Sequence, residues 1–170
     1  MIDYRSSIAI TLTLVVVTHA ATSNHSAQPD STSLSTRCDT IENFDDGQLE
    51  LFSYPGQDID TSAWALDSIV TQNASPFSLK LWGNTWKIES IVPVLLDSGD
   101  VWQVAAYVDT LAEIQGFGLR DTLHTLLYSF AGTQQLDIED WVTVYQGAFP
   151  ERTWNTYQLP VGQDWLAYYH

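Results

Sequence analysis

"VWQVAAYVD", residues 101–109, sets Trp102, Val104, Ala106 and Val108 on one side of the chain and Val101, Gln103, Ala105, Tyr107 and Asp109 on the other. That spacing of two is the repeat of an extended strand; a helix would bring together residues three or four apart. One apolar row beside one mixed row marks a half-buried strand, which belongs in an antiparallel sheet with a core on one side.

The same signals recur outward from this strand. Short runs of period two, broken by clusters of Gly, Pro, Asp and Asn, cover "LELFSY" (49–54), "SLKLWGNTWKIESI" (78–91), "EIQGFGLR" (113–120), "TLLYSFAG" (125–132), "WVTVYQGAF" (141–149) and "TWNTYQLP" (153–160). Such a series predicts an all-β chain, an antiparallel β-sandwich rather than alternating strands and helices. "DTLHTLLY" (121–128) reads as strand; the alternative is a helix capped by Asp121, because Leu123, Leu126 and Leu127 share a helical face. In 78–91 a regular strand would turn Trp82, Trp86 and Ile88 away from the side of Leu79 and Leu81. A bulge at Gly83 restores parity, so the expectation is Trp86 in the core and Trp82 outside.

The chain has 170 residues, 45% hydrophobic and 12% aromatic, enough to build one core. Its 21 acids against six bases give a formal charge of −15, which offers no footprint for nucleic acid or anionic lipid. An acidic surface suits neutral ligands such as sugars, or calcium, whose ligands are carboxylate and carbonyl oxygens. "IAITLTLVVV" (8–17), followed by Thr18-His19-Ala20, reads as the apolar centre and cleavage site of a signal peptide spanning 1–20, although Asp3 offsets Arg5 at its start. A secreted, extracellular protein is therefore expected, with no membrane span, since a span takes roughly 20 apolar residues. Residues 21–40 are Ser/Thr-rich and read as a flexible linker, and the folded region is expected over 41–170. Cys38 is the single cysteine, so no internal disulfide exists, and Arg37 before it argues against a lipid-anchor motif.

No nucleophile elbow, phosphate-binding loop, dinucleotide fingerprint or paired-cysteine zinc motif is present, and the four histidines are scattered. "LDIEDW" (136–141) resembles the alternating acids of laminarinase-like enzymes but lacks their leading glutamate. A jelly-roll glycoside hydrolase is therefore a lesser alternative, and the chain is read as not an enzyme. Binding a sugar takes an aromatic platform for its C–H face and side chains able to form paired hydrogen bonds to its hydroxyls. The candidates are Trp82, Gln103, Tyr107, Arg120 and Tyr145. Each aromatic has a core role as its rival, and Arg120 has an ion pair with Asp121 or Asp109.

"IENFDDG" (41–47), "ASPFSLKLWGNTWK" (74–87), "DVWQVAAYVD" (100–109) and "WNTYQLPVGQDW" (154–165) carry a resemblance. From about Ile41 onward the chain resembles the galactose-binding-like jelly rolls found as carbohydrate-binding modules in secreted bacterial proteins. The resemblance implies a non-catalytic jelly roll within a multidomain parent protein, with a glycan or polysaccharide as partner. It also implies a structural calcium near the first and last strands, for which Asp45 and Asp46 are the candidate ligands. Members of that fold are also structural or adhesive, which is the alternative function. Such modules run on through further strands beyond a point corresponding to "DWLAYYH" (164–170), so the last strands are expected to be missing and the "FDDG" strand to have an open edge.

Overall fold

A computed structural model describes residues 9–19, 37–91, 93–132, 140–144 and 150–169. In chain order the elements are β1 (Ala9–His19), β2 (Arg37–Asp39), β3 (Leu51–Ser53), β4 (Trp64–Asp67), β5 (Ser78–Trp82), β6 (Lys87–Glu89), β7 (Val101–Val108), β8 (Ile114–Arg120), β9 (Thr125–Gly132), β10 (Asp140–Thr143), β11 (Trp154–Leu159) and α1 (Val161–Tyr169). The protein is all-β in class. One sheet runs β11-β7-β1-β5-β4, with β2 against β1; a second is β10-β9-β8; β3 and β6 form a pair. Pairing is antiparallel except between β10 and β9, which run parallel.

The predicted faces of β7 hold: Trp102, Val104, Ala106 and Val108 are all buried. The first three join Leu159 of β11, Leu119 of β8, Leu126, Tyr128 and Phe130 of β9, and Val161 in one core, which therefore links the two larger sheets. Phe130 stacks on Tyr157 with centroids 4.4 Å apart. A smaller core gathers Phe44, Leu79 and Leu81, with Trp64, Leu66 and Phe77 packed against it.

Several elements differ from the sequence expectation. Residues 78–91 do not form one bulged strand, because at Gly83 (φ 68°) the chain leaves the large sheet and β6 pairs with β3 instead. Distant loop residues make this corner: Asp60 Oδ2 accepts the Asn84 N–H at 2.6 Å, and the Thr85 hydroxyl lies 2.5 Å from Trp82 O. Lys87 Nζ reaches Asp58 Oδ2 at 2.5 Å, with both side chains almost fully buried. Trp82 and Trp86 are consequently both half-buried, and Trp86 packs on Tyr54 rather than in either core. The "FDDG" stretch is a turn and not a strand. Phe44 and Gly47 have positive φ, Gly47 N–H donates to Phe44 O, and the Glu42 carboxylate accepts the N–H groups of Asn43 and Phe44.

The strand β4 and the helix α1 were not expected. Pro160 opens α1, where the Asp164 N–H donates to Pro160 O at 2.9 Å. The helix then packs its aromatics on the β8–β9 turn, with Tyr169 stacked on His124 at 4.4 Å. At that turn Asp121 caps the backbone N–H groups of Leu123 and His124, both at 2.7 Å, and the next residues form β9 instead of a helix.

The apolar run read as a leader lies in the large sheet. In the structure Ala9–His19 is β1, hydrogen-bonded between β5 and β7. Its alternation of Ile10, Leu12 and Leu14 with Thr11 and Thr13 suits a strand as well as a signal sequence. β2 falls within the stretch read as linker, of which residues 21–36 lie outside the described residues. No described helix is long and apolar enough to cross a membrane.

Candidate functional site

The side of β7 turned from the main core carries Gln103, Ala105 and Tyr107, and antiparallel register sets Gln158, Thr156 and Trp154 of β11 opposite them. Alternation therefore places the six on one sheet surface. Tyr107 and Trp154 form a tilted aromatic pair with centroids 5.7 Å apart. One repeat along the strand, a groove of about 610 Å³ opens over Gln103, Ala105 and Thr156. Asn43 and Asp45 from the first turn, and residues 72–75, complete its described lining.

Those loop residues are held by their own polar groups. Gln72 Nε2 donates to the Thr156 hydroxyl at 3.2 Å, bridging the loop to β11. The Ser75 hydroxyl divides its proton between the Asp45 carboxylate and Phe77 O, and Asn43 Nδ2 donates to Asp45 Oδ2 at 2.9 Å. Asn73 sits exposed at the loop tip with φ 54°, a conformation that asparagine tolerates better than most residues. Amides, hydroxyls and a single carboxylate thus line the groove's described wall, beside a small floor residue, Ala105. Such groups are able to donate to and accept from a neutral polar molecule without a charged partner.

Of the sequence candidates, Gln103 lies in the groove and Tyr107 beside it, and Asp45, assigned to calcium, joins them. Trp82 sits at the end of β5, where its N–H donates to Ala63 O at 3.1 Å, and it does not line the groove. Arg120 ends β8 on the three-stranded sheet, with its guanidinium carbon 5.8 Å from the Tyr54 ring centroid. Tyr145 lies outside the described residues. Gln72, Asn73, Ser75, Trp154 and Thr156 were not singled out. The alternation of "WNTYQ" marked Trp154 and Thr156 as sharing a face, but nothing local in "TQNAS" (71–75) places it over β7.

Asp46 Oδ1 accepts the Gln48 N–H at 2.8 Å. Near it Glu89 has its carboxyl pushed up to about 7, first by burial and then by the charges of Glu42 and Asp46 and a hydrogen bond with Glu42. Among the described residues no three acids or histidines converge as a metal-ligand set. Asp45 and Asp46 supply two carboxylates, where calcium takes six to eight oxygens.

No family model, curated protein or solved structure matches the chain.

Proposed function

We propose that the protein is a non-catalytic carbohydrate-binding module of a secreted protein, with a jelly-roll sandwich as its architecture and a glycan as its ligand. The observation that supports this most is the groove over Gln103, Ala105 and Thr156, walled by amides and hydroxyls and flanked by the Tyr107–Trp154 pair. Amide side chains offer the paired donor and acceptor that adjacent sugar hydroxyls require, and an aromatic pair offers a surface for a C–H face. Asp45 is the one carboxylate in the described lining, and glycoside hydrolysis uses two, which favours binding over cleavage. Calcium belongs to the same proposal as a stabilising ion at the first turn, where Asp45 and Asp46 would need further oxygens from backbone or water.

A glycan array, followed by calorimetry on any hit, tests the reading. One aromatic platform is worth only a few kcal/mol before entropy costs, so dissociation constants in the micromolar to millimolar range are expected. Gln103→Ala and Tyr107→Ala should each weaken binding by about tenfold or more, and Thr156→Trp, at an exposed position of the same lining, should block the groove while the melting temperature stays within a few degrees. Trp82→Ala and Arg120→Ala should leave affinity unchanged. Absence of any glycan hit from the wild-type chain would remove this reading in favour of a structural or adhesive domain.

A further inference from the structure

Residues 9–19 carry two assignments that exclude each other in one molecule. In the sheet they are β1, paired with β5 on one side and β7 on the other. In the export reading, on which a vacated site between those strands depends, they are the centre of a leader removed after Ala20. Its removal leaves β5 and β7 without a shared neighbour. Adjacent strands are about 4.8 Å apart, so the resulting gap of about 10 Å is the width of one strand.

Register shows what the gap presents. On β7, Val108, Ala106 and Val104 stand opposite Ile10, Leu12 and Leu14; on β5, Leu81 and Leu79 stand opposite Ile10 and Leu12. All five of those β5 and β7 side chains are buried when β1 is present. Without β1 they border an opening lined on both sides by backbone N–H and C=O groups that β1 had paired. Such a pair of facing edges is a template for another strand, and leaving it empty forfeits both hydrogen bonds and apolar burial.

We propose that the gap between β5 and β7 is a strand-acceptor site, filled after leader removal by an extended segment donated by another protein. The register specifies the donor over the positions of Ala9–Leu14: about six residues, antiparallel to β5 over Ala9–Leu12 and to β7 over Ile10–Leu14, with aliphatic residues at alternate positions and small polar residues such as threonine between them; beyond Leu14 the pairing with β7 is bulged and β2 lies on the other side. Main-chain pairing supplies affinity and the alternate apolar positions supply selectivity. A donor shifted by one residue presents polar groups where Leu79, Leu81, Val104 and Val108 need apolar ones.

The test uses the full chain with a protease recognition sequence placed within 21–36. The purified protein is cut in the presence of excess fluorescein-labelled peptide of residues 8–19. Expected is uptake of one label per chain, displacement of the original segment, and protection of those β5 and β7 amides that face β1 only while a peptide is bound. A peptide of the same composition with its apolar and polar positions exchanged should not be taken up. In a second, uncut arm, Leu12→Asp should lower the melting temperature and the free 8–19 peptide should restore it. The proposal fails if the labelled peptide does not enter, if the parity-exchanged peptide enters equally well, or if the β5 and β7 amides that face β1 stay protected after the segment has left. It also fails if the cut chain closes the gap by pairing with a second copy and ignores the peptide. Sequencing the N-terminus of exported protein separates the two readings. An intact Met1 removes the export reading and the need for a foreign donor, whereas failed exchange with an N-terminus at Ala21 removes the acceptor site alone.

Discussion

Replacing Lys87 by methionine should cost the protein several kcal/mol of stability. Lys87 Nζ lies 2.5 Å from Asp58 Oδ2 and 2.6 Å from Thr61 O, and the two charged side chains are 4% and 1% exposed. Methionine retains much of the stem's volume, so packing is preserved while the ammonium is removed. Asp58 is then a buried carboxylate left with the Trp86 N–H at 3.0 Å and Ser53 as donors. Breaking a buried pair from one side typically costs about 3 to 5 kcal/mol, a large part of the 5 to 15 kcal/mol that holds a domain together. At roughly 2 to 4 °C per kcal/mol for a chain of this size, the melting temperature should fall by about 6 to 20 °C. Adding Asp58→Asn, which keeps an acceptor for Trp86 but removes the charge, should recover about 2 kcal/mol or more.

The pH dependence carries a sign as well. Burial pushes the Asp58 carboxyl up, but hydrogen bonds from Lys87, Ser53 and Trp86 outweigh it and hold the group below its usual value. Its stabilisation in the wild type is therefore present above the unfolded-state value and is lost as pH falls through the folded one. Without Lys87 burial gains weight, so the penalty of Lys87→Met should shrink as pH approaches 4. Urea denaturation at 25 °C across that range is the assay. A loss below about 1 kcal/mol, or strict additivity in the double mutant, would refute the assignment of this pair as the corner's fastening.

Three further outcomes are expected at other sites. Glu89 is raised to about 7, so its protonated form stabilises the fold below the ordinary carboxylate range and that contribution is lost as pH rises through 7. Glu89→Gln, melted in EDTA, should gain about 1 kcal/mol over the wild type at pH 8 after allowance for solvent screening, and nothing at pH 4.5. Gly162→Ala should lose about 3 kcal/mol or more in urea, because a methyl there overlaps the backbone oxygen of Asp97 where Gly162 N–H already donates to Asp100 O. Tyr128→Phe removes the 3.0 Å bond from its buried ring to Asp164 and should cost about 1.5 to 3 kcal/mol in the same assay, with α1 amides exchanging faster.

What the sequence disclosed was local, and what it concealed was assembled from afar. The alternation in 101–108 marked the buried row of β7, and 125–132 coincides with β9, whose short apolar run is buried continuously along the strand. The parity break at Gly83 was visible as well. Its outcome was not, since the change of sheet depends on Asp58 and Asp60, more than 20 residues earlier. The same holds for the site: Gln103 was readable from its face on β7, but the loop closing the groove is placed there by Gln72 reaching Thr156, 84 residues away. α1 was missed because "LPVGQDWLAYY" contains the strand formers Val, Trp and Tyr, although Pro160 and Asp164 stood where a helix start places them.

The aromatic turn of α1 bears on when the protein can become itself. Tyr128, Trp141, Thr125 and Asp140 meet helix side chains that lie 36, 27, 44 and 29 residues later in the chain. A ribosome adding roughly 5 to 20 residues each second therefore delivers β9 seconds before the helix that fastens it. Through that interval the nascent three-stranded sheet has no lid over His124 and Thr125. Synthesis order alone thus leaves the β8–β9 turn uncovered until the last described element has been made.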